Sequence, residues 1–195
     1  MPQPTEGHKG LIIAHVALGS NATSSSGSPE FTLREVKQAI SSDSVNVLAE
    51  SRFFRSPAFP ADSGPDYVNA AITLETALSA EALLTHLHRV EAEFGRVREE
   101  RWAARTLDLD LLDYGGTIVP DQATVERWIN LQLVRQMNEA PERLILPHPR
   151  IQDRAFVLIP LADIAPSWVH PLTGQSVTEL LSELPQEEKG AICPL

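Results

Sequence analysis

A chain of 195 residues can build one domain with a full hydrophobic core, and its 43% apolar and 22% charged shares are those of an ordinary globular protein. The net charge of −10 excludes a broad nucleic-acid surface, which needs clustered lysine and arginine. No apolar run nears the ~20 residues that cross a bilayer, Met1 to Lys9 lacks the apolar stretch of a secretory signal, and the lone Cys193 excludes an internal disulfide, so a cytoplasmic chain without membrane contact is expected.

Gly10 to Leu18 reads as a buried strand that holds His15, expected to be a core-facing or sheet-edge histidine and not a ligand. It stops at Gly19-Ser20-Asn21, read either as a turn of small residues that let the backbone approach a ligand or as a plain strand-to-loop turn. After a Ser/Gly linker, Pro29 opens a helix with Phe31, Leu33, Val36 and Ile40 at helical spacing. Val45 to Phe54 reads as the second strand, the proline-rich segment from Arg55 to Asp66 as a stiff loop, and Tyr67 to Leu74 as the third strand. Ser79 caps a second helix whose apolar stripe is Leu83, Leu84, Leu87, Val90 and Phe94, stopped by Gly95.

Arg96 to Asp113 is the richest stretch in chemistry. Four arginines and Trp102 sit on a loop that leads into a short strand, Thr106 to Leu112. Successive strand residues face opposite sides, so Leu107, Leu109 and Leu111 point one way and Asp108 and Asp110 the other. Two carboxylates on one face repel each other unless a cation lies between them. Hard oxygen ligands suit Mg²⁺, which is commonly held by one or two carboxylates together with substrate phosphates. The neighbouring guanidinium groups can grip phosphate oxygens bidentately. The bland alternative is a solvated strand face beside a surface loop.

Downstream, Thr117 to Val119 reads as a short strand, Ala123 to Asn138 as a helix, and Leu144 to Pro149 as an extended segment. Phe156 to Ile164 reads as a core helix and Val177 to Leu184 as a last short one, with the final ten residues frayed. The order strand, helix, strand, strand, helix, strand predicts an α/β (α+β) fold with a ferredoxin-like βαββαβ core, a mostly antiparallel sheet flanked by helices, and C-terminal additions. One domain over residues 1–195 is expected, with flexible tails at 1–9 and 186–195.

Six stretches resemble one family in its order: Ala17-Leu-Gly-Ser-Asn21, Phe54-Arg-Ser-Pro57, Asp66-Tyr-Val-Asn-Ala-Ala71, Glu91 with Gly95-Arg-Val-Arg98, Arg101-Trp-Ala-Ala-Arg-Thr-Leu-Asp-Leu-Asp110, and Leu146-Pro-His-Pro149 with Arg154-Ala-Phe156. The chain resembles the 6-hydroxymethyl-7,8-dihydropterin pyrophosphokinases over roughly residues 10 to 175. The resemblance implies transfer of pyrophosphate from ATP to the pterin's hydroxymethyl oxygen in folate biosynthesis, with AMP as second product. It implies two Mg²⁺ ions on Asp108 and Asp110, and Arg96 and Arg105 on the phosphates as further catalytic residues. It also implies an ATP site of Glu91, Arg96, Arg98, Arg105, Arg143, His148 and Arg154. Ser56, Pro57, Phe59, Tyr67, Asn69, Trp102 and Phe156 would form the pterin slot.

Two departures from the family stand out: Ala104 where a proline often precedes the arginine, and Pro149 after His148 where some relatives carry an aromatic residue. Residues 120–141 look like an insertion. The partners implied are ATP and the pterin, and a monomer is expected, with a weak dimer as the alternative. Two other classes compete: a non-catalytic module that senses a nucleotide or pterin, and a phosphohydrolase that needs no pterin. A sensor has no use for both metal ligands and phosphate clamps, and a phosphohydrolase none for Asn69, Tyr67 and Phe156.

Overall fold

β1 (Ile12–Ser20) is apolar or small on both faces, and such a strand has to be covered on both. The computed structural model, which describes residues 10–24, 27–58, 64–95, 105–132, 135 and 139–195, places β1 inside an antiparallel sheet. β4 (Tyr67–Thr76) runs along one side of it and β5 (Asp108–Tyr114) along the other. β2 (Val45–Glu50) and β3 (Phe54–Ser56) share the outer edge of β4, and β6 (Cys193–Pro194) pairs with β3. With α1 (Pro29–Ile40) after β1 and α2 (Ala80–Glu93) between β4 and β5, this is the expected ferredoxin-like core.

The two faces of the sheet do different work. On one, Val16, Leu18, Ile72, Leu74, Leu109 and Leu111 pack with Leu33, Val36, Leu83, Leu87 and Val90 from α1 and α2. Ser28 and Ser79 start those helices, each accepting a backbone N–H from three residues on. On the other face Ala71 and Leu112 pack with Val157, Leu158 and Leu161 of α4 (Ala155–Ile164) and with Val177 and Leu180 of α5 (Val177–Glu183). α4 is apolar nearly all round, which suits a helix enclosed between a sheet and its neighbours.

A bulge sets what this second face carries. Ala17 lies opposite Asp110 and Val16 opposite Leu111, but His15 lies opposite Asp113, so Leu112 is the extra residue. The extra residue turns Asp113 onto the face of Asp108 and Asp110. There His15 Nδ1 lies 3.3 Å from Asp113 Oδ2, and the His15 ring meets Trp168 edge-on at 6.0 Å between centroids. His15 is thus a core histidine and not a sheet-edge one, since β1 is paired on both sides.

Three sequence expectations change. The single strand over 45–54 is broken at 51–53, because the Ser51 side chain takes over from the ladder: its Oγ accepts the Ala71 N–H at 2.9 Å while Ser51 N donates to Ala71 O. The helix over 123–138 is α3 (Gln122–Ile129), closed by Asn130, whose amide donates back to Glu126 O at 2.8 Å. Residues 133–134 and 136–138 lie outside the described residues, as do residues 1–9. Finally, residues 186–195 are not a frayed tail. They form α6 (Gln186–Gly190) and β6, held by Lys189 Nζ donating to Leu181 O at 3.2 Å and by Leu195 N donating to Phe53 O at 3.0 Å.

Because α4 holds the second face together, Leu158→Ala should cost about 2–5 kcal/mol, the range for emptying a fully buried leucine site. Urea denaturation should show a lower midpoint with an unchanged slope.

Candidate active site

Across the sheet, Gly19 lies opposite Asn69 of β4 on one side and opposite Asp108 of β5 on the other. One step along, Ala17 lies between Ala71 and Asp110. Directly opposed residues in an antiparallel sheet share a face. Small residues therefore make a flat floor, with a buried amide at one edge and two carboxylates at the other. Adjacent strands are about 4.8 Å apart, so amide and acids stand roughly 10 Å from each other. A Cβ on Gly19 would meet Asn69 Oδ1 and Tyr67 Cδ1 at 3.8 Å and Asp108 Cβ at 3.9 Å.

The amide has a fixed sense. Asn69 Nδ2 donates to Ser56 Oγ at 2.9 Å and lies 3.5 Å from Phe54 O, while Oδ1 is the atom turned toward Gly19. Asn69 thus offers a hydrogen-bond acceptor to whatever lies on the floor. Ser56 and Asn69 are buried, Tyr67 is half-buried beside Gly19, and Pro57 is exposed.

Each acid meets an arginine. Arg105 Nη1 pairs with Asp108 Oδ2, and Arg154 Nη1 lies 3.7 Å from Asp110 Oδ2. Burial opposes charge on Arg105, but Asp108, with Tyr67 and Asp110 behind it, more than offsets this and raises its pKa above the usual arginine value. Burial pulls the pKa of Arg154 down, Arg150 adds to the effect, and Asp110 and Asp108 oppose it. The Arg154 guanidinium also stands 5.6 Å from the ring centre of Phe156, which is 37% exposed.

His148 completes this corner. Its backbone N–H donates to Leu112 O at 2.8 Å, and its Nδ1 accepts the Arg150 N–H at 3.1 Å. The residue is largely buried, and burial, then Arg154 and Arg150, push the pKa of its ring down to about 3. It is neutral at neutral pH, with the proton on Nε2, because Nδ1 is the acceptor.

The Gly19-Ser20-Asn21 turn, read as either a ligand-approaching turn or a plain strand-to-loop turn, acts as a clamp through Ser20 and Asn21. Arg105 N donates to Asn21 Oδ1 at 2.7 Å, Asn21 and Ala22 N–H groups return bonds to Arg105 O, and Ser20 Oγ donates to Thr106 O at 2.7 Å. Asn21 Nδ2 also reaches Pro65 O at 3.1 Å. The turn thus fixes the start of β5 and the end of the loop before β4. Glu91, 1% exposed, accepts the Leu109 N–H at 2.8 Å and holds β5 between its two acids from behind.

Not every expected residue joins this cluster. Arg143 is exposed, lowers the pKa of Asp121 at the α3 N-cap behind that group's hydrogen bonds to Thr124, and lines a cavity of about 470 Å³ with Arg127 and Trp128. A second cavity, about 560 Å³, lies beside Ile12 and Tyr114 at the far end of β1. Neither cavity includes the acids. Arg96, Arg98, Trp102 and Phe59 lie outside the described residues. Among the described residues no third His, Cys, Asp or Glu joins Asp108 and Asp110 as a metal cluster. A two-carboxylate set fits Mg²⁺, which keeps waters and takes phosphate oxygens for its other ligands.

Paired strand carboxylates, arginines poised beside them and a buried amide thus surround a flat floor on a ferredoxin-like sheet. Residues 15–166 match the family described as 7,8-dihydro-6-hydroxymethylpterin-pyrophosphokinase (HPPK), and the chain belongs to that family. It is 37% identical over 174 residues to the 2-amino-4-hydroxy-6-hydroxymethyldihydropteridine pyrophosphokinase of Haemophilus influenzae, covering 89% of this chain and 93% of that one. The enzyme of that name from Synechocystis is 42% identical over 140 residues, 72% of this chain and 61% of that one. The Plasmodium falciparum HPPK-DHPS wild-type structure shares the fold at a TM-score of 0.62 and 11% identity, over 89% of this chain and 44% of that one.

Sequence reasoning missed the clamp by Asn21 and the part played by Arg150. Only the clamp had a local signal: asparagine at a strand end commonly bonds backbone elsewhere. His148 also yields a test. Its folded pKa lies near 3 and its unfolded value near 6.5, so between these the unfolded chain binds the extra proton and stability falls as pH falls. In urea titrations from pH 7 to 3, His148→Gln should show a smaller loss of stability than the parent chain.

Proposed function

We propose that the chain transfers the pyrophosphoryl group of ATP to the hydroxymethyl oxygen of 6-hydroxymethyl-7,8-dihydropterin, in the cytoplasm, as a step of folate biosynthesis. The oxygen bonds to the β-phosphorus, the bond from that phosphorus to the α–β bridging oxygen breaks, AMP leaves, and the hydroxyl proton passes to solvent. The observation that carries the reading is the floor itself, with an acceptor amide on one side and the acid–arginine pairs on the other.

Each residue then has a role. The heterocycle lies on Gly19 and Ala17, donating an N–H to Asn69 Oδ1, with Tyr67 and Phe156 as aromatic walls. Ser56, Pro57, Phe59 and Trp102 complete this slot. Arg105 and Arg154 grip phosphate oxygens, and His148 donates to one through Nε2–H. Arg96 and Arg98 add to the phosphate clamp, with Arg143 toward the nucleoside; Glu91, expected beside the nucleotide, is instead buried behind β5 and supports the strand. Two Mg²⁺ ions held by Asp108 and Asp110 would neutralise charge on the transferring group. An alcohol attacking phosphorus needs chiefly positioning and charge relief, so the reaction demands no strong side-chain base.

Arginines on the acids also explain how the free site stays assembled. Carboxylates facing solvent two residues apart would repel each other; paired with Arg105 and Arg154 they are kept in place until the phosphates compete for those same guanidinium groups.

Incubation with ATP, Mg²⁺ and 6-hydroxymethyl-7,8-dihydropterin should yield pterin-dependent AMP, and Asp110→Ala should lower kcat/KM by at least about 100-fold, the upper loss seen when a mere support of a metal ligand is removed. Free phosphate or ADP formed without pterin would overturn the reading. Gly19→Ala should fold normally, since its Cβ meets only ordinary contacts. It should raise KM for the pterin far more than KM for ATP, because the methyl group stands on the floor.

A further inference from the structure

β3 is three residues long, yet it carries the Ser56 that fixes the sense of the Asn69 amide. A strand this short sets few hydrogen bonds against the entropy of its own ordering, so its position depends on both of its neighbours. β4 is one. The other is β6, where Leu195 N donates to Phe53 O at 3.0 Å and Pro194 and Cys193 lie opposite Phe54 and Arg55. Bonded and non-bonded pairs alternate along an antiparallel ladder. The Leu195–Phe53 bond makes Phe54–Pro194 a non-bonded pair, so the N–H that Pro194 lacks is not one the ladder needs. The approach to β6 is anchored as well, since Lys189 Nζ at the end of α6 donates to Leu181 O and Ser182 O at 3.2 and 3.3 Å.

We propose that residues 193–195 position the pterin side of the active site: by closing the outer edge of β3 they keep Ser56 Oγ within hydrogen-bond reach of Asn69 Nδ2, and so keep Asn69 Oδ1 turned to the floor. The inference rests on Asn69 being the pterin's partner. The chain of contacts is short, from the Leu195 N–H to Phe53 O, along β3 to Ser56, and from Ser56 to the amide. If β6 docking favours the pterin-competent amide, the pterin favours β6 docking by the same factor. A brace that only adds stability has no such reciprocity.

Leu195→Pro removes one N–H donor, whereas Leu195→Ala keeps it. With 6-hydroxymethylpterin as probe, Leu195→Pro should weaken binding about five-fold, the equivalent of one net hydrogen bond of ~1 kcal/mol, with KM for ATP unchanged and Leu195→Ala binding as the parent does. In the parent chain, hydrogen exchange at the Leu195 and Arg55 amides should slow when the pterin is added. A Leu195→Pro chain that binds the pterin as tightly as the parent overturns the proposal. So does unchanged exchange at Leu195 in a parent chain that has bound the pterin. A parent chain that binds no pterin at all overturns the catalytic reading and this inference with it.

Discussion

Two like charges held two residues apart on one strand face are the constraint around which this molecule is arranged. Asp108 and Asp110 cannot turn away from each other without breaking the alternation that buries Leu107, Leu109 and Leu111 beneath them. Their repulsion is met from outside β5, by Arg105 just before the strand and by Arg154 at the cap of α4. Both arginines are in turn placed by structure that has no chemistry of its own. Asn21 and Ser20 hold the backbone at Arg105 and Thr106, and the packing of α4 on Ala71 and Leu112 holds Arg154 over Asp110.

The sheet faces divide the labour between stability and function. The face under α1 and α2 is a continuous aliphatic layer, and changes there act on folding. The opposite face is aliphatic only where α4 and α5 cover it. Toward the Gly19 end of β1 it gives way to glycine, alanine, an amide and carboxylates. Such a surface exposes polar groups in a fixed pattern on a rigid support, which is what positioning a flat heterocycle and a polyphosphate demands. A ferredoxin-like sheet by itself does not imply this reaction. The proposed reaction rests on the side chains along this one end of its face.

The bulge at Leu112 shows how a small departure from regularity serves both ends. It bends β5 where Leu112 O receives the His148 N–H, bringing the imidazole to the acids. It also turns Asp113 inward, where His15 and the Gly116 N–H satisfy the buried carboxylate that would otherwise be costly.

What the sequence by itself determined is local and periodic. The alternation over Thr106 to Leu112 put both carboxylates on one side, helical spacing marked α1 and α2, and six separated stretches sufficed to name a family. Its limits have physical reasons. Ser51 ends β2 through a side-chain bond to a strand 20 residues away, and Leu195 pairs with Phe53 across most of the chain, so neither leaves a signal within a window of neighbours. The state of His148 depends first on its burial in the folded chain and then on Arg154 and Arg150 beside it. The sense of the Asn69 amide depends on Ser56, which β3 brings to it. Strand period and helix period are properties of a few consecutive residues; partners that meet only across a sheet are chosen by register, and register exists only once the strands have paired.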